Sequence, residues 1–125
     1  MSHILSDFRK FLDASPTSWH AVREIGNRLA LCDFSPLDEE DKWHLEPGKK
    51  YFVARGGALC AFAIPKGTPK QTIILAAHTD SPALKLKPLP GYCTENMTQF
   101  GVEIYGAPLL SSWLNRDLVL EPYKG

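Results

Sequence analysis

The stretch Ile73-Ile74-Leu75-Ala76-Ala77-His78-Thr79-Asp80-Ser81-Pro82 constrains the fold of this chain more than any other. Five apolar residues run without a break. An imidazole, a hydroxyl, a carboxylate and a proline turn follow at once. A short apolar run with β-branched residues and no polar alternation predicts a strand buried on both faces, over residues 71–77. Strands of that kind belong to α/β folds, and ligands bind just beyond their carboxyl ends. If the backbone stays extended, His78 and Asp80 point to one side with Cα atoms roughly 6.5 Å apart. That geometry suits a metal-binding imidazole with a carboxylate beside it.

The remaining pattern supplies the helices and further strands that an α/β fold needs. Ile4, Leu5, Phe8, Phe11 and Leu12 fall on one helical stripe, with Asp7, Arg9 and Lys10 opposite. Ser15-Pro16-Thr17 breaks this helix and begins a second, with Ser15 as the expected cap and Pro16 in the first turn. Trp19, Val22, Ile25 and Leu29 give the second helix its stripe, and it should end near Leu31. His20 lies beside that stripe as a surface or packing residue. Residues 33–43 are polar and acidic, and Asp38-Glu39-Glu40-Asp41 reads as a solvated loop or helix start. Two strand-like runs flank Gly56-Gly57, a pair that accepts the backbone angles of a tight turn, so residues 51–64 form a hairpin. Leu84-Lys85-Leu86-Lys87 alternates as a half-exposed strand that Pro88 should end. Residues 89–96 are turn-rich, residues 99–105 alternate as another strand, and Glu121-Pro122-Tyr123-Lys124-Gly125 carries no pattern of a closing element.

Composition enters by exclusion. With 14 basic against 14 acidic residues and no basic stripe, the chain has no footprint for nucleic acid. No apolar run approaches the ~20 residues that span a bilayer. The first residues lack the basic start and apolar core of a signal peptide. Cys32, Cys60 and Cys93 form neither a CxxC nor a disulfide framework, so reduced thiols and a cytoplasmic protein are expected. Cys32 and Cys60 sit among apolar neighbours and are expected to be buried.

His78 and Asp80 do not complete a site by themselves. A catalytic zinc needs three protein ligands and an open position. His3, His20 and His44 have no metal spacing to His78, and HExxH is absent. Beside a ligating histidine, a carboxylate often orients the ring instead of binding the metal, a role open to Asp80. The same residues would equally serve as a capped turn, with His78 hydrogen-bonded at a strand end. A serine nucleophile fits poorly, because GxSxG is absent and Ser81 has no independent base nearby.

The stretch Ala77-His78-Thr79-Asp80-Ser81-Pro82-Ala83-Leu84-Lys85-Leu86-Lys87-Pro88 resembles the signature of the M18 aminopeptidases, the aspartyl aminopeptidase family. Ser15-Pro16-Thr17-Ser18-Trp19-His20-Ala21-Val22 is similar to the family's "SPTPFHAV" segment, and residues 43–55 to its next block. Tyr105-Gly106-Ala107-Pro108-Leu109-Leu110 and Trp113-Leu114-Asn115-Arg116-Asp117-Leu118 resemble "YGGPLL" and "WLDRDL". Ala107 and Asn115 depart from those blocks, where the family usually has Gly and Asp. The resemblance covers nearly the whole chain, in family order.

It implies a metallo-exopeptidase with two zinc ions that removes N-terminal, often acidic, residues from peptides. His78 matches a zinc ligand, and Asp80 the carboxylate that orients it. The other ligands and the general base come from later segments of family members, which are several times longer. Residues 1–88 would be the first part of a catalytic domain, and residues 89–125 the start of an inserted β-rich domain used in oligomerisation. The chain is thus expected to be an N-terminal portion of a homo-oligomeric enzyme, inactive alone. Two other functions remain open: another binuclear zinc hydrolase, such as a deacylase or carboxypeptidase, and a non-catalytic interaction module.

Overall fold

The computed structural model describes residues 2–121 and divides into two compact units, one holding the residues up to Asp80 together with Glu121 and one running Ser81–Leu120. Pro122-Tyr123-Lys124-Gly125, read above as lacking an element, lie outside the described residues.

The first unit opens with α1 (Ser2–Asp13) and α2 (Ser18–Ala30). Ser15 closes α1, its amide donating to the Leu12 carbonyl at 3.0 Å, so the expected cap is displaced. Thr17 caps α2 instead: its backbone is extended and its hydroxyl accepts from the His20 amide at 3.4 Å. Thr17 Oγ1 also lies 2.7 Å from His20 Nδ1, which ties this histidine to the helix start. The helix ends on Leu31, as the stripe predicts.

Three strands follow: β1 (Phe34–Pro36), β2 (Lys50–Arg55) and β3 (Ala58–Ala63). They form one sheet with β2 in the middle, parallel to β1 and antiparallel to β3. The β2–β3 hairpin turns through Gly56-Gly57 as expected. β1 lies in the stretch 33–43, read as polar and acidic with no element assigned to residues 34–36; three residues with a proline carry too little pattern to mark a strand.

Side chains alternate across β2, so its two faces need two covers. On one side α2 lies against the sheet, and Gly26 lets it approach. A Cβ there would sit 3.3 Å from the Phe52 ring. On the other side Tyr51 stands opposite Phe62, with ring centroids 5.9 Å apart. Trp43, from the acidic segment, reaches Phe62 at 6.3 Å and donates its indole N–H to the Asp38 carbonyl. The Tyr51 hydroxyl accepts from the Glu46 amide at 3.0 Å. Asp38-Glu39-Glu40-Asp41 form an exposed loop, as expected, and Trp43 beyond them closes the second face. The core comprises Ala21, Val22 and Tyr51.

Both helices were expected to pack on the sheet, and α2 does so. The contacts of α1 centre on Arg28 of α2. The guanidinium bonds Glu24 at 2.7 Å and Asp7 at 2.9 Å and lies 5.3 Å from the Phe11 ring centroid. The bond to Glu24, foremost, raises the Arg28 pKa above its ordinary value. The rest of the α1 stripe, Ile4, Leu5, Phe8 and Leu12, is exposed.

Two further expectations are corrected here. Cys32 and Cys60 are exposed. Cys32 follows the end of α2, and Cys60 stands opposite Val53 on the sheet face away from Phe52 and α2. The apolar run 73–77 joins no strand ladder, and Ile73, Ile74 and Leu75 are 76%, 84% and 92% exposed. An interior parallel strand draws its hydrogen bonds from strands distant in sequence, and none among the described residues pairs with this run.

The second unit is a long hairpin of β4 (Ala83–Thr94) and β5 (Met97–Tyr105). Leu84 and Leu86 are half-buried and the lysines between them exposed, as the alternation predicts. Pro88 does not end the strand. Lys87, Pro88, Leu89 and Pro90 stand opposite Gly101 alone, in a bulge where Leu89 takes φ +53°. A proline lacks the ladder N–H, and a bulge removes the need for it. The reversal then takes only Glu95-Asn96, both at positive φ, which matches the twist of a hairpin. A 3₁₀ turn, Leu110–Ser112, follows. No helix among the described residues is long and apolar enough to cross a membrane.

Candidate metal centre

The residues of interest end the first unit. Residues 71–78 join no sheet, and the backbone bends at Thr79. His78 and Asp80 meet: Nδ1 lies 3.0 Å from Asp80 Oδ1. Thr79 is half-buried, and its hydroxyl donates to the Gly57 carbonyl at 2.6 Å. The two side chains thus meet, but across a bend and not along the extended backbone expected from sequence.

The chemistry of the pair follows from its donor and acceptor roles. An ionised carboxylate only accepts, so His78 Nδ1 carries the shared proton and Nε2 keeps its lone pair. The imidazole is 91% exposed and the Asp80 side chain 42%. Nε2 is therefore presented on an accessible ring whose tautomer the carboxylate selects. This arrangement suits an imidazole ligand with an orienting carboxylate.

Among the described residues no cluster of three or more His, Cys, Asp and Glu side chains forms around a common point. His20 is bound up with the α2 cap, and His3 and His44 lie on exposed parts of α1 and the covering segment. Ser81 begins the second unit, next to Pro82. Among the described residues, His78 and Asp80 are the candidate ligand and its partner.

Two residues that sequence reading assigned no part in the site, Thr79 and Gly57, are linked to it. Gly57 was legible only as a turn residue. A Cβ at Gly57 would lie 2.7 Å from Ser18 Oγ, so the turn abuts the first residue of α2. Gly56 takes the positive φ, +54°. The two glycines serve different needs, one backbone angle and one close approach. No local pattern signals that residues 18, 57 and 79 meet.

Comparison with known proteins follows the same line. The family model described as "Aminopeptidase I zinc metalloprotease (M18)" matches residues 11–122. A probable M18 family aminopeptidase 2 of Streptomyces avermitilis is 47% identical over 116 residues, covering 91% of this chain and 27% of the relative. One from Pseudomonas paraeruginosa is 41% identical, covering 88% of this chain and 26% of the relative. The chain thus spans about a quarter of the length of these relatives. Among solved structures, a chain of the Ape4 and Nbr1 complex aligns with a TM-score of 0.83 at 39% identity, covering 89% of this chain and 22% of that one. The mApe1 dodecamer of S. cerevisiae aligns at 0.82 and 30% identity, over 91% of this chain and 28% of that one. These neighbours carry the α/β class expected from sequence. By sequence and by fold, this chain belongs to the M18 family of zinc metalloproteases.

Proposed function

We propose that the chain is the N-terminal part of a zinc aminopeptidase, in which His78 is a metal ligand through Nε2 and Asp80 holds its ring. The observation that carries this reading is the 3.0 Å bond between His78 Nδ1 and Asp80 Oδ1, on an exposed ring, in a chain of the M18 family. The donor set fits zinc, for which a neutral imidazole is a preferred ligand. When bound, zinc supplies Lewis acidity toward the scissile carbonyl. Asp80 keeps the proton on Nδ1, raises the basicity of Nε2 and limits rotation of the ring. The remaining ligands and the general base lie in later segments of the longer polypeptide, a reading supported by the relatives' length, of which this chain spans about a quarter. It extends to two zinc ions, to residues 1–88 as catalytic and 89–125 as inserted β-rich domain, and to peptide substrates with acidic N-terminal residues. Homo-oligomeric assembly is supported by the dodecameric state of the S. cerevisiae neighbour. Cytoplasmic location is supported by three free cysteines.

The test compares residues 1–125 with the longer polypeptide. The latter should release Asp and Glu from aminoacyl amides in a zinc-dependent way, while residues 1–125 alone show little turnover. Zinc-dependent turnover by residues 1–125 alone would remove the need for later segments. Faster cleavage of N-acyl amino acids than of aminoacyl amides would instead make the enzyme a deacylase or carboxypeptidase.

Asp80→Asn isolates the orienting carboxylate. The amide keeps the size of the side chain but not its charge, and it no longer favours one tautomer of His78. Zinc affinity of the longer polypeptide should fall about 10–100-fold, the usual cost of losing an outer partner of a ligating histidine. Competition with a chromophoric chelator reads this directly, and unchanged affinity would remove Asp80 from the site.

A further inference from the structure

We propose that Thr79 and Gly57 are positioning residues for the metal site: the Thr79 hydroxyl, anchored on the Gly57 carbonyl, sets where His78 and Asp80 point. The inference rests on the reading of His78 as a ligand and adds two residues to it. Three observations carry it. Among the described residues no strand pairs with residues 71–78, so within these residues the backbone beside His78 is tied to the β2–β3 turn through Thr79. Thr79 lies between the two site residues and its side chain is half-buried, whereas His78 is 91% exposed. The tie it makes, 2.6 Å to the Gly57 carbonyl, is a short hydroxyl–carbonyl bond.

The anchor is itself built. The turn between β2 and β3 abuts the start of α2, where a Cβ on Gly57 would meet Ser18 Oγ at 2.7 Å and Ser18 Cβ at 3.0 Å. Ser18 follows Thr17, the cap of that helix. The position of the Gly57 carbonyl is therefore set by the helix and the hairpin together. From there one hydroxyl transmits it to the bend that lies between His78 and Asp80. The anchored residue is the one at the bend between His78 and Asp80, whose side chains meet at 3.0 Å.

Thr79→Val keeps the shape and β-branching of the side chain and removes the donor, and Thr79→Ser restores it. In the longer polypeptide, Thr79→Val should weaken zinc binding about tenfold by chelator competition, the low end for residues that act through a ligand. It should also shift the visible d–d bands of the cobalt-substituted protein and lower kcat with KM unchanged. Thr79→Ser should match wild type in all three. A zinc affinity and cobalt spectrum for Thr79→Val equal to wild type would overturn the proposal.

Should Thr79→Val fail to fold, the decision passes to Gly57→Ala, which must push the turn from Ser18. It should weaken zinc binding to a similar degree, and Ser18→Gly in the same chain should restore it. Unchanged zinc affinity in Gly57→Ala overturns the proposal equally. His78→Ala in the same series separates the two levels. If it retains zinc, the ligand reading itself fails; if it loses zinc while Thr79→Val does not, only the positioning role fails.

Discussion

His78→Ala in the longer polypeptide should lower kcat/KM by about 10³-fold or more, beyond the ~10–100-fold cost of losing an outer partner. The reason is the scarcity of donors around this position. His78 is the one imidazole held by a carboxylate at the end of the apolar run, and no cluster of alternative ligands surrounds it among the described residues. With its Nε2 removed, nothing nearby in this unit takes its place. Zinc content should fall with activity. The ring is almost wholly solvent-facing, so truncation opens no cavity and the melting temperature of the metal-free protein should barely move. Joint measurement of zinc by elemental analysis, of hydrolysis of acidic aminoacyl amides and of apo stability checks all three consequences. Retained zinc and activity would place the metal elsewhere and favour a non-catalytic part for this segment.

The largest expected effect on stability belongs to Tyr51. It is 7% exposed, the most buried aromatic of the first unit, and it pairs in register with Phe62 beneath the cover that Trp43 completes. Tyr51→Ala should cost about 3–5 kcal/mol, the range for deleting a buried aromatic side chain. Removing the ring uncovers one side of Phe62 and leaves the Glu46 amide without its hydroxyl acceptor. Tyr51→Phe separates the two contributions. It keeps the packing and loses only the bond to Glu46, for about 1 kcal/mol. Urea denaturation of the longer polypeptide, followed by tryptophan fluorescence, reads both through the midpoint. A Tyr51→Ala variant within about 1 kcal/mol of wild type would mean that the face away from α2 contributes little.

What could be read in advance was what depends on neighbours in sequence. The α2 stripe and its end at Leu31, the Gly56-Gly57 hairpin and the alternation of Leu84 and Leu86 are all set within a few residues. The proximity of His78 and Asp80 is local too: two residues apart, across the bend at Thr79, their side chains stay within reach of each other. Family membership is also legible, because it rests on motifs and their order.

Contacts between distant segments were not legible. Trp43 covering Phe62, Thr79 bonding Gly57, and Ser18 against the same turn each join residues that no periodicity links. The bulge at Pro88-Leu89 escaped for a related reason: a proline marks a missing donor, but only the partner strand decides whether the ladder ends or bulges around it. The apolar run 73–77 states the limit most clearly. Its composition marks it for burial, yet burial is a property of the surroundings, and no described strand pairs with it. The sequence by itself determined the local elements, the pairing of His78 with Asp80 and the family. Only the tertiary structure decided what holds that pair in place, because the anchoring bond closes a loop of chain that leaves no trace in local pattern.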